Sequence, residues 1–479
     1  MLKLEDEARK RLWDMVVSQL EQYAADVDSY PVSPQDAWTK IQEEVARFDF
    51  QQPVEPEKII EFAASQLSRN QVHTPSRHYY GLFNPCPTSM SIFADAMVAA
   101  FNPQMAGAGH NPFATTVEQH LITTFGKLMG FSEGRIDGTF TTGGAEANHT
   151  ALVCALSHRF VQFRNKGVRS LSAQPVVYVS AEAHHSIMKA ARLSGLGTDA
   201  VREIPVDSKF RLDLKVLERF IADDKKSHNE PVMIVGTAGT TSCGAIDPLQ
   251  PLSELALKYH CWFHVDAAWG GAAAIVPEMR GLLSGIDSAD SITFDCHKWL
   301  SVPMGAGTFI TRHTDVLDRT FRIANDYMPR DDQDGALADP YARSMQWSRR
   351  FIGLKVFMSL AVAGLAGYAD TIRHQTQMGD LLRQRLIADE WNIVSDTTLP
   401  IVCFNCKDIK QNSPEFLSSI AKQVVDSGNA WISTTRLGQG INVVRACITN
   451  FRTDEQDVER LVATLQAARQ AVQQDLLVG

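Results

Sequence analysis

Four short stretches of this 479-residue chain set reactive side chains beside small and apolar ones. In SITFDCHKWLSVPMGAG (291–307), an apolar run delivers Lys298 between His297 and Trp299. A partly desolvated lysine loses its charge more easily and becomes a nucleophile toward carbonyls. Taken alone, it reads more readily as a salt-bridged or snorkelling lysine. In CWFHVDAAWGG (261–271), Asp266 closes another apolar run. A buried carboxylate needs a partner, either an arginine or a protonated ring nitrogen on a ligand. Ala267 and Ala268 leave room there for a flat ring. His184, in AHHS after VVYVS, could cap a helix, sit on the surface or stack on a planar aromatic ligand. In TTGGAEANHT, the turn Gly143-Gly144-Ala145 opens a helical run whose bare N–H groups suit an anion such as phosphate. An ordinary strand–helix connection gives the same turn. No P-loop Lys-Ser/Thr follows it, so nucleotide hydrolysis is not suggested.

No one of these motifs decides anything. Together they supply an anion cradle, a stacking imidazole, an acid for a pyridinium and an amine for a Schiff base. That is the set pyridoxal 5'-phosphate requires.

The set works only if the fold gathers residues more than a hundred positions apart. PVVYVSAEAHHSIMKAARLSG (175–195), PVMIVGTAGTTSCGAID (231–247), CWFHVDAAWGG and SITFDCHKW each read as a strand leading into a loop or helix. Repeated βα units imply an α/β fold with a mostly parallel sheet. Ligands in such sheets collect beyond the carboxyl ends of the strands, so the four stretches are expected on one edge. DAWTKIQEEVARF and PEKIIEFAASQL have helical spacing but are broken by Pro31, Pro34, Pro53 and Pro56. The segment is too thin for its own core and is expected to wrap a second subunit. The acidic, turn-rich stretch 325–343 reads as a long loop of the lid type. The apolar run 356–369 reads as a buried helix, and the rest as a small α+β unit. The expected division is a helical dimerisation segment (1–85), a large cofactor-binding domain (86–350) and a small C-terminal domain (351–479).

Composition narrows the partners. Hydrophobic residues make up 44% and charged residues 21%, with a net charge of −9 and no long basic run, so nucleic acid is not an expected partner. No apolar run is long enough for a membrane span, and the mixed-charge start is unlike a signal or transit peptide. A cytoplasmic protein is expected. The eight cysteines are scattered; Cys403 and Cys406 form a C-x-x-C without a second pair, so no metal is expected and a strand interior fits better.

HVDAAWGG and DCHKWL, supported by HYYGLFNPCPT, NPFATTVEQ, SRRFIGLK and VVRAC, resemble the group II pyridoxal-phosphate-dependent amino-acid decarboxylases. That family includes aromatic amino-acid, glutamate and diaminobutyrate decarboxylases, and the resemblance covers nearly the whole chain. It implies the fold type I, PLP-dependent transferase-like architecture and a homodimer with active sites at the interface. By resemblance, Lys298 forms the Schiff base, Asp266 pairs with the pyridine nitrogen and His184 stacks on the ring. Gly144, Ala145 and His297 lie near the phosphate, and Thr240, Thr241, Ser242 and Ala268 line the cofactor pocket. Arg445 matches an arginine near the substrate carboxylate. Tyr327 matches the loop tyrosine that protonates Cα, with Tyr341 as its competitor. On the substrate side Phe83 is kept and His110 adds a polar group, while Leu82, Asn84 and Ala106 depart from the aromatic-substrate pattern. The implied reaction converts an L-amino acid, most simply an aromatic one, to its amine and carbon dioxide. Acidic or diamino substrates, decarboxylation–deamination to an aldehyde, and a non-catalytic ligand-binding protein are the alternatives.

Overall fold

The computed structural model describes residues 3–323, 337–408 and 411–478. Seven strands form the large sheet: β1 (Asp137–Thr141), β2 (Pro175–Ser180), β3 (Val201–Ile204), β4 (Glu230–Thr237), β5 (Trp262–Asp266), β6 (Ser291–Asp295) and β7 (Gly307–Thr311). Their order is β1-β7-β6-β5-β4-β2-β3. The pairings from β3 across to β6 are parallel, and β7 runs antiparallel to both of its neighbours. Most of these strands are buried along their length, because helices cover both faces. That is why they read in sequence as continuous apolar runs rather than alternating ones.

Register gathers the site. Thr237 pairs with Asp266, and Asp266 with Thr293, so β4, β5 and β6 end together. Reversed β7 brings in β1: Gly307 pairs with Thr141 on one side and Asp295 on the other. The turn after Thr141 is thereby held against Asp295. Gly307 has to be glycine, since a Cβ there would lie 2.6 Å from both Asp295 Oδ1 and Gly143 Cα.

Of the helices, α1 (Asp6–Asp26) buries only Leu12, while α2 (Trp38–Ala46) and α3 (Pro56–Arg69) bury no residue. Trp38 is 81% exposed and Phe50, between them, 91%. The segment has no core of its own, as its sequence suggests. Next come α4 (Ser89–Phe101), α5 (Pro112–Leu128) and α6 (Gly144–Arg159), which follows β1. A long helix, Gly353–Ala388, packs on α4 and leads toward the small domain. It kinks at Gly364, whose φ of 65° suits a residue without a side chain. The expectation of a buried helix at 356–369 fails in its middle, although Tyr368 and Ala369 are buried again. From Ala361 to Ala366 the chain is mostly exposed, with Val362 at 68%. Among the described residues no helix is long and apolar enough to cross a membrane.

The small sheet is antiparallel, in the order β10-β11-β9-β8: β8 (Trp391–Ile393), β9 (Ile401–Cys406), β10 (Ser433–Leu437) and β11 (Ile441–Cys447). Cys403 lies within β9 and Cys406 ends it, both buried, and all eight cysteines are free.

Candidate active site

A cavity of about 280 Å³ opens at the carboxyl edge of the large sheet, lined by Gly144, Ala145, His184, Thr241, Asp266, Ala268, His297 and Lys298 among others. Larger grooves exist elsewhere, but the polar groups converge here. Of the residues expected around the cofactor, Gly144, Ala145, His184, Thr241, Asp266, Ala268, His297 and Lys298 line this one space, while Thr240 and Ser242 do not.

Lys298 is not deeply buried; its side chain is 25% exposed. Its Nζ lies 3.1 Å from Asp295 Oδ2. The same oxygen accepts the Gly144 N–H at 3.1 Å, at the start of α6. One buried carboxylate therefore ties the lysine to the anion cradle. A Cβ on Gly144 would come within 2.9 Å of that oxygen, so the small residue permits the approach. His297 is buried; its Nδ1 accepts the Ala306 N–H at 3.1 Å. The ring proton is then on Nε2, which lies 3.8 Å from Asp295 Oδ2. Burial holds the His297 pKa below the ordinary histidine value.

The carboxylate of Asp266 has found amides rather than an arginine. Oδ1 accepts the Ala268 N–H at 3.2 Å and Oδ2 accepts Asn148 Nδ2–H at 2.8 Å. Lone pairs remain for a further donor.

The family profile described as pyridoxal-dependent decarboxylase conserved domain matches residues 42–407. The chain belongs to this decarboxylase family. It is 28% identical to the aromatic-L-amino-acid decarboxylase of Bacillus atrophaeus, over 87% of this chain and 86% of that one. It is also 28% identical to the phenylacetaldehyde synthase of Petunia hybrida, over 94% and 92%. The crystal structure of Oryza sativa TDC with PLP and tryptamine superposes with a TM-score of 0.91 at 23% identity, covering 98% of this chain and 99% of that one. The protein is a pyridoxal-phosphate-dependent amino-acid decarboxylase with the expected α/β fold.

The decarboxylase cavity fits its cofactor on several counts. It offers an amine, a carboxylate with capacity left, and a cradle of small residues at a helix start. It also holds Thr237 Oγ1, a buried polar atom with no partner among the described residues. His184 keeps an exposed edge, and its Nδ1 accepts the Ser186 N–H at 3.2 Å, so it caps a helix while lining the cavity.

Thr240 is structural: its Oγ1 accepts the Ala245 N–H at 3.0 Å within the loop. Arg445 and Phe83 sit just behind the cavity wall. The Arg445 guanidinium lies 5.1 Å from the Phe83 ring centroid, and its Nε donates to the Thr241 carbonyl at 3.0 Å. Phe83 stacks on Trp269 at 4.2 Å, and Trp269 on Trp299 at 5.4 Å. Arg445 Nη2 is buried and has no hydrogen-bond partner among the described residues.

His110 is exposed at the end of the short turn Ala108–His110 and does not line this decarboxylase cavity. Tyr327 lies outside the described residues. Its competitor Tyr341 is buried, stacks on Trp347 at 4.7 Å and donates its amide to the Ala106 carbonyl at 3.1 Å.

Asp295, Asn148 and His264 were not singled out from sequence. Their spacing carried a signal. Asp295 precedes Lys298 by one turn, Asn148 is four residues into α6 from Gly144, and His264 shares a β5 face with Asp266.

Proposed function

We propose that this decarboxylase converts an aromatic L-amino acid to its amine. The observation that carries the substrate class is Trp269, which lines the cavity and is backed by the stacked Phe83 and Trp299 rings, with the Arg445 guanidinium against Phe83. A flat apolar ring near an arginine N–H that has no partner among the described residues suits a planar side chain and a carboxylate on one molecule.

When bound, the cofactor accepts the electron pair left at Cα as carbon dioxide departs. The protein's residues do the rest. Lys298 supplies the amine for the cofactor's carbonyl. Asp266 would meet the ring nitrogen, His184 would cover the ring, and Thr241 and Ala268 would flank it. Gly144, Ala145 and the His297 Nε2–H would hold the phosphate. Phe83 and Arg445 serve the substrate side. Tyr327 gives Cα its proton, while the packing of Tyr341 against Trp347 suits an anchor. The Tyr327→Phe variant is expected to keep its cofactor and move product from amine toward aldehyde or keto compound; unchanged amine output would sink that role.

The active unit is a homodimer in this reading. Phe93, Met97, Phe101 and Phe113 are exposed, and several of them border an apolar groove of about 510 Å³. His110, two residues before α5, then serves the cavity of a second copy. Eight free cysteines suit a reducing, cytoplasmic setting.

The test is a panel of L-amino acids with cofactor-loaded protein, read for carbon dioxide, amine, aldehyde and peroxide by mass spectrometry and a coupled assay. Amine from aromatic substrates is expected. Turnover confined to acidic or diamino substrates would overturn the substrate class, and aldehyde with peroxide would overturn the product.

A further inference from the structure

Beneath Asp266 the core is polar. Trp262, His264 and Asp266 alternate along β5 and so share one face; Ser291 and Thr293 on β6 lie beside them in register. Asn148 on α6 closes the group. His264, Ser291 and Thr293 have no exposed surface and Asn148 has almost none.

The partners fix the protons from the indole to the carboxylate; Asn148 Nδ2 also donates to Ser186 Oγ at 2.8 Å, and Thr293 Oγ1 lies 3.3 Å from His264 Nε2. Trp262 Nε1–H can only donate, and it meets Ser291 Oγ at 2.8 Å. His264 Nδ1 lies 2.8 Å from the same oxygen and takes the serine hydrogen, because Nε2 is the nitrogen that faces an acceptor and carries the ring proton. An ionised Asp266 can only accept, so Asn148 turns its nitrogen to Asp266 Oδ2 at 2.8 Å and its oxygen inward. That oxygen takes His264 Nε2–H at 2.9 Å and Thr293 Oγ1–H at 2.7 Å. His264 therefore carries one proton, on Nε2, and the donors run one way from the indole to the carboxylate. Burial works in the same direction, pushing the His264 pKa down to about 4.

We propose that Asn148 and His264 are positioning residues whose one-way hydrogen-bond chain holds Asp266 ionised and oriented, so that the proton it shares with the cofactor's ring nitrogen stays on the nitrogen. This rests on the reading that Asp266 faces that nitrogen. A donated N–H stabilises the charged form of a carboxyl group. Without it, a carboxylate facing a pyridinium in a low-dielectric site gains by taking the proton: the N–H bond breaks, an O–H bond forms and both groups become neutral.

The experiment reconstitutes the holoenzyme with pyridoxal phosphate isotope-labelled at the ring nitrogen and reads that nitrogen's chemical shift. The wild type is expected at the pyridinium position, with Asn148→Leu and Asp266→Asn both moved toward the pyridine position. If Asp266→Asn moves and Asn148→Leu does not, the chain has no such role and the proposal falls while the ring-nitrogen reading stands. If Asp266→Asn keeps the wild-type shift, the ring-nitrogen reading itself fails and takes the proposal with it. Should Asn148→Leu not fold, wild-type holoenzyme with ring-labelled histidine decides. An Nε2–H tautomer for His264, constant between about pH 6 and 8, supports the chain; an Nδ1–H tautomer or a titrating ring overturns it.

Discussion

The floor of the cavity and the N-terminal arm depart from the inside–outside rule in opposite senses. Under Asp266, Asn148, His264, Ser291 and Thr293 are polar, buried and bonded to one another. Along α1 to α3, Trp13, Leu20, Trp38 and Leu67 are apolar and exposed. A buried polar cluster costs free energy unless its bonds are complete, and an exposed apolar face forgoes about 1.5–3 kcal/mol per large side chain. Folding alone rewards neither arrangement. The first marks where chemistry is done, the second where the chain expects another surface.

Substitutions can separate the two. The largest effect is expected from Lys298→Ala, which should leave no cofactor fixed to the protein after borohydride and cut amine output by roughly 10³-fold or more. Borohydride fixation that survived would remove Lys298 from its role. Asp266→Ala should lower kcat/KM by about 10²–10³-fold, the range for losing one preorganised electrostatic group. A change under tenfold would make that carboxylate merely structural. On the apolar side, Phe101→Ala should weaken dimerisation by about 2 kcal/mol, or roughly 30-fold in Kd, by sedimentation. A wild-type chain that stays monomeric at micromolar concentration would break that half of the comparison.

The smallest effect concerns acid. Burial holds His264 near pH 4, whereas an unfolded histidine titrates near ~6.5. Between those values the unfolded chain takes up a proton that the folded chain does not. This contribution to stability is complete above pH ~6.5 and is lost as pH falls toward 4, by about 2 kcal/mol at pH 5. Urea unfolding at two pH values should give His264→Gln a smaller acid loss than wild type by that amount; equal losses would mean that His264 titrates normally.

Much of this was legible in the sequence. Strands buried on both faces announce themselves as apolar runs, and the parallel-sheet rule places Lys298, Asp266 and the Gly143-Gly144 turn on one edge. Asp295 was not legible, because its bond to Gly144 spans 151 positions and depends on β7 lying reversed between β1 and β6. The floor was obscured for a similar reason: His264 and Ser291 become partners only through strand register. The run at 356–369 misled because apolar composition gives no sign of which surface covers it, and Val362 faces outward. His110 matched a substrate position by motif, yet its backbone sets it away from the cavity of its own chain.

Gly307 bears on how this enzyme can evolve. With Asp295 Oδ1 and Gly143 Cα each 2.6 Å from where a Cβ would stand, even alanine must push the cradle away from the carboxylate that grips Lys298. In a saturation library the position should behave as a near-lethal site although it carries no reactive group. If Phe83 serves the substrate as proposed, preference is free to drift there, while this glycine keeps the cavity around Asp295 and Lys298 fixed.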